Sequence, residues 1–153
     1  MKTQKIIKII TIIILGAILA ESFGKMLIYS KYIYEPAENL IGKYNNNYYS
    51  LSDIGEYDED YITKRFILFG GNNHLGTLSI LSDTTINIQT KKRHGDLKVL
   101  VVDESTKESI YYDFANEKNS SFDIKTGEYS IYLVGNWFSG NCTINYINAE
   151  FTK

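Results

Sequence analysis

Through residues 76–147 apolar side chains recur at every second position, and this period limits the fold more than any other feature of the chain. Leu78 and Ile80 share a face, and so do Ile86 and Ile88. The pattern continues with Leu97, Val99 and Val101, with Phe122 and Ile124, with Tyr129, Ile131 and Leu133, and with Cys142, Ile144 and Tyr146. A two-residue period belongs to a β-strand with one buried face. Between these runs stand clusters of turn formers and polar residues, at 70–73 (Gly-Gly-Asn-Asn), 91–96, 103–107, 116–119 and 126–127. Candidate strands at 48–54 and 61–69 precede them. No stretch after residue 60 keeps a helical period. Seven or eight short strands with breaks every 8–12 residues predict an all-β fold, an antiparallel β-sandwich of jelly-roll-like form. Thirteen tyrosines and seven phenylalanines suit half-buried pleated surfaces.

The N-terminus is of another kind. Lys2, Lys5 and Lys8 are followed by twelve uncharged residues, 9–20 (IITIIILGAILA). A basic flank, an apolar run of about 7–15 residues and small residues near its end make a secretory signal. Ala20-Glu21-Ser22 offers the small residues, although cleavage after Ala20 sets Ile18 at the third position before the cut. Phe23, Met26, Leu27 and Ile28 extend the apolar surface past Glu21, which keeps an uncleaved anchor open, with residues 30–153 outside the membrane. The chain thus divides into a signal peptide or membrane anchor at 1–22, a junction at 23–47 and a β-sandwich domain at 48–153. Within the junction, Tyr29, Tyr32 and Tyr34 read either as an interfacial aromatic belt or as a segment packing on the domain. Pro36 and the five residues after it predict a short helical turn.

Charge and cysteine content narrow the partners. Net charge is −2 for the whole chain; residues 1–22 hold three lysines and one acid, so the remainder stands at −4. A mildly acidic domain has no electrostatic reason to bind nucleic acid. One cysteine, Cys142, excludes an intramolecular disulfide and a cysteine-based zinc site, and its mid-strand position predicts a buried small hydrophobe. An exported domain without disulfides fits a bacterial envelope.

Residues 76–151 carry this order of segments: a predicted strand, GDLKVLVVD, a second predicted strand, SFDIKTGEYSIYLVG, then SGNCTINY. Gly127-Glu128-Tyr129 opens the penultimate predicted strand and Gly140 the last. This order resembles small exported β-sandwich domains of Gram-positive bacteria, of the pre-peptidase C-terminal type. The resemblance implies a fold, an extracytoplasmic location and an accessory or binding role. It supplies no shared catalytic residues.

Candidate sites are few. Trp137 and Phe138, within 136–140 (Asn-Trp-Phe-Ser-Gly), are two large aromatics between predicted strands. They either cap the sandwich end or form an exposed tip that stacks on a sugar or anchors a partner. Asp53, Glu56, Asp58, Glu59 and Asp60 form the densest oxygen-ligand set and are calcium candidates, though Gly55 and Ile54 break an EF-hand spacing. The same carboxylates are the place to seek a hydrolytic pair. His74 and His94 fall in predicted turns, and 91–94 (Lys-Lys-Arg-His) is a basic cluster at a predicted hairpin tip. No cofactor fingerprint and no Gly-x-Ser-x-Gly motif occur. The expectation is a non-enzymatic extracytoplasmic envelope protein, a binding or interaction module for a protein or carbohydrate ligand, with the membrane as a further partner if the N-terminal segment is retained. The alternatives are a hydrolase using the 53–60 carboxylates and a membrane-anchored structural or sensory domain.

Overall fold

A computed structural model describes residues 2–41, 46–114 and 119–153. The chain opens with helix α1 (Lys2–Ser30), continues through a 3-10 turn (Lys31–Tyr34) and a short helix α2 (Ala37–Leu40), and then forms strands. These are β1 (Asn47–Ser50), β2 (Asp53–Tyr57), β3 (Tyr61–Ile80), β4 (Thr84–Asp103), β5 (Ser109–Phe114), β6 (Asn119–Ile124), β7 (Gly127–Asn145) and β8 (Ala149–Thr152). All strand pairings are antiparallel. The all-β expectation holds: eight strands follow one apolar helix.

The strands are longer than the sequence breaks suggest. β3, β4 and β7 run 20, 20 and 19 residues, and each would reach about 65 Å if straight. They lie side by side with β7 in the centre. Residues 70–73, expected as a turn, sit inside β3; 91–96, expected as a hairpin tip, sit inside β4; 136–140 sit inside β7. Each region carries irregular pairing instead, with register shifts between Phe66 and Gly71, and between Lys92 and Asp96. Glycine and asparagine serve a bulge as well as a turn, because both tolerate left-handed backbone. The break expected at 116–119 lies largely outside the described residues.

The bulges change which face each strand half buries. In β4, Ile86 and Ile88 are buried at even positions, whereas Leu97, Val99 and Val101 are buried at odd ones. β7 switches the opposite way, from Tyr129, Ile131 and Leu133 to Cys142 and Ile144. All of these residues belong to one core cluster with Ile62, Phe66, Phe69 and Leu78. Ile62, Ile86 and Leu133 are fully buried, and among the described elements only the other half of the sheet covers them. The sheet therefore folds over on itself, and its two halves share one interior.

The half containing residues 97–103 is covered on its outer face too. Tyr32, Ile33 and Leu40 pack there against Leu100, Val102, Tyr132 and Val134, and Asn72 Nδ2 donates to the Leu40 carbonyl at 3.2 Å. Burial on both faces explains why 97–102 (LKVLVV) reads almost continuously apolar. Tyr32 thus packs on the domain, while Tyr34 is exposed. Glu35 adopts extended backbone ahead of Pro36, which ends the helical path.

Gly95 shows how tight the folded-over end is. It has φ +73°, and a Cβ there would lie 2.1 Å from the Trp137 carbonyl oxygen. Gly95→Ala is expected to destabilise the domain by about 1–3 kcal/mol, read as a lower urea midpoint with an unchanged slope.

Candidate functional site

The fold gives the domain two distinct ends. At one, β3, β4 and β7 bend. At the other, the strand ends meet: Tyr57 of β2 pairs with Ile62, and Phe151 of β8 pairs with Leu78. There the Tyr57 and Phe151 rings stack, with centroids 5.6 Å apart and planes at 18°. Lys153 Nζ lies 4.7 Å from the Tyr57 centroid. The pair borders an open cleft of about 750 Å³, with Leu81 and Ala149 as apolar lining and Asp58, Glu59, Glu150 and Asn148 as polar groups. Alternation could not reveal this cleft, because its two aromatics come from strands far apart in sequence. The only signal was the aromatic content itself.

The structure disperses the 53–60 carboxylates. In β2, Asp53 and Glu56 point to opposite faces, as residues three apart in a strand must. Asp53 forms an ion pair with the buried Lys64 and accepts a hydrogen bond from the Tyr48 hydroxyl at 3.2 Å. Glu56 accepts from the Tyr61 hydroxyl at 2.7 Å, which with burial pushes the Tyr61 pKa up to about 12. Asp58 accepts from the Glu59 amide at 2.8 Å, and Asp58, Glu59 and Asp60 are exposed. Among the described residues no three His, Cys, Asp or Glu side chains gather as metal ligands. The calcium candidates Asp53, Glu56, Asp58 and Asp60 are thus not brought to one point, and neither is a hydrolytic pair within this segment.

Trp137 and Phe138 part company. Phe138 is fully buried, edge-on to Phe66 with centroids 6.3 Å apart. It belongs to the core cluster beside the bend. Trp137 is half-buried at the bend, with φ +52°, and its ring lies 5.7 Å from that of Phe23 in α1.

Neither histidine is in a turn. His94 is exposed within β4. His74, half-buried in β3, lies tilted at 38° against Tyr132 with ring centroids 4.7 Å apart and places Nε2 3.3 Å from Ser130 Oγ. The Ser130 hydroxyl donates to Glu104, which also pairs with Lys107. This contact order is not that of a nucleophilic triad. There the acid orients the imidazole and the imidazole takes the serine proton; here the serine hydroxyl donates its hydrogen bond to the carboxylate instead of to the imidazole. Burial lowers the His74 pKa against the pull of Glu104. Lys107, then Ser130, hold the Glu104 carboxyl below its usual range. Cys142 is buried as expected, and burial pushes its thiol up to about 12.

No protein-family profile matches the chain, and no curated protein matches it. Among solved structures, the chain is similar to one of accessory secretory protein 1, 2 and 3 in Streptococcus pneumoniae. The identity is 12% over 74% of this chain and 92% of that one, with a TM-score of 0.33. It is also similar to the CBM22-1 xylan-binding domain of Paenibacillus barcinonensis Xyn10C, at 7% identity over 74% and 91% of the two chains, with a TM-score of 0.30. Neither structure is described as a pre-peptidase C-terminal domain.

Two outcomes follow from the polar contacts. Asp53→Asn leaves the buried Lys64 ammonium without its counter-charge and is expected to cost about 1–3 kcal/mol in urea denaturation. The second concerns pH. His74 has a folded pKa below its ordinary 6.5, so its stabilising contribution is full above 6.5 and is lost as pH falls from there through the lowered folded value. Glu104 acts in the same direction, starting from 4.5. His74→Gln is therefore expected to flatten the fall in Tm between about pH 7 and about pH 5, measured by thermal melts across that range.

Proposed function

We propose that the chain is a non-enzymatic binding module held on the outer side of a membrane by α1, with the Tyr57–Phe151 cleft facing away from that membrane. The observation that carries this reading is the form of α1. It is one unbroken helix of 29 residues, about 44 Å long. It is long and apolar enough to cross a membrane, and no side chain in its most apolar stretch is buried in the protein. Its last turns join the domain instead: Met26 is 1% exposed, against Gly70 of β3. A cut after Ala20 or Ser22 would fall inside this helix, just before the residues that lock it to the sheet. The lysines before the apolar run favour an inside N-terminus and an outside domain.

The ligand class follows from the cleft. Aromatic rings stack against the C–H faces of a sugar, while carboxylates and an amide exchange hydrogen bonds with its hydroxyls. The cleft combines a stacked aromatic pair with Asp58, Glu59, Glu150 and Asn148 and lies at the end remote from α1. Carbohydrate is the class we assign.

Two measurements test this. Full-length chain is expected in the membrane pellet after carbonate washing, with its domain digested by protease added outside. A shortened chain in the medium would overturn the anchor. Phe151→Ala is expected to weaken oligosaccharide binding to the full chain by roughly tenfold; unchanged binding would remove the cleft from the reading.

A further inference from the structure

We propose that the folded-over end of the sheet rests on the surface of the membrane that α1 enters, with anionic lipid headgroups as its partner. The proposal depends on the retained anchor described above. It assigns a second contact, made by the domain itself.

The first argument is position. α1 leaves the domain at the bend and nowhere else. Leu19, Ser22 and Phe23 close a small apolar cavity of about 80 Å³ against Leu51, Leu68 and Trp137. From Ile18 back to Gln4 every side chain is exposed. The uncharged run ends at Ala20, three residues before Phe23. That spacing is about 5 Å along the axis, so the bend stands at headgroup level.

The second argument is what the bend displays. Trp137 is the only tryptophan of the chain, and an indole suits the boundary between acyl chains and water. Leu51 and Ile67 are each 60% exposed there. The basic run of β4 adjoins the indole: His94 is in register with Ser139, and the Gly95 position abuts the Trp137 carbonyl. Lys91 and Arg93 are exposed, and Lys92 shares its charge with Asp96 at 3.5 Å. Across the same sheet face, Lys91, Asn141, Arg65 and Ile54 lie in one row through β4, β7, β3 and β2. Cations interleaved with exposed aliphatics match an anionic surface that also accepts shallow apolar insertion.

The third argument is polarity along the domain. The opposite end carries Asp58, Glu59, Asp60 and Glu150, all exposed. An anionic surface therefore attracts one end and repels the other. Trp137 also holds left-handed backbone at φ +52°, which is costly for a bulky residue. The fold keeps an indole at the bend despite that strain.

The single tryptophan makes the test direct. Full-length protein is reconstituted into vesicles of phosphatidylcholine alone or with phosphatidylglycerol, each with lipids brominated near the top of the acyl chain. Trp137 emission is expected to shift to the blue and to be quenched in phosphatidylglycerol vesicles. Lys91→Glu and Arg93→Glu, both at exposed positions, should lower the ratio of docked to lifted domain by roughly fivefold per charge. An indole open to aqueous iodide and untouched by brominated lipid overturns the docking. Equal quenching in both lipids, or quenching unmoved by the charge reversals, overturns the anionic partner. Carbonate extraction separates the two readings. Chain that resists extraction with Trp137 unquenched leaves the anchor standing and removes the docking; chain that is extracted removes both.

Discussion

The fold depends on the passage of three adjacent strands through irregular pairing at the same level. Residues 66–71 of β3, 92–96 of β4 and 136–140 of β7 all lie where the sheet turns over. Without the extra residues there, Ile86 and Leu97 of one strand would face opposite sides, and half of the apolar pattern would meet water. The bulges bring both halves onto one interior, which Phe66, Phe69 and Phe138 fill next to the bend. At this level Trp137 stands outward beside Phe23 and Phe138 inward, the two faces that neighbours in a strand take.

The period-two segments were legible because half-buried strands leave a direct trace in hydrophobicity. Leu78 and Ile80, Ile86 and Ile88, and Cys142 and Ile144 all face the core as the alternation required. Strand continuity was not legible. Gly70-Gly71 and Gly95 supply left-handed or closely packed backbone, and a bulge and a reverse turn draw on the same residues for the same reason. The position of His74 was hidden for that reason too: it follows the Gly-Gly-Asn-Asn cluster and reads as loop until β3 is seen to continue through it. The partners of Asp53 were invisible, because Lys64 reaches it only once β2 lies against β3. The cleft between Tyr57 and Phe151 depends likewise on two edge strands meeting at one end.

Helix and sheet meet through few residues, and these set the orientation of the whole. Met26 lies under Gly70, where a Cβ would stand 2.9 Å from its sulfur. Tyr32, Ile33 and Leu40 then cover the outer face of residues 97–103. Residues 32–41 are therefore part of the packed domain rather than a free tether, and the direction in which the helix leaves distinguishes the two ends of the domain.

The outer edge of β3 is closed piecewise, by β2 along 62–66, β1 along 69–72 and β8 along 77–80. Each of these covering strands has only four or five residues. A long bare edge would offer a template on which a neighbouring copy adds a strand. Such a template is a route to lateral polymerisation wherever copies meet at high local concentration. Three short strands at staggered positions leave no continuous ladder along this edge of β3.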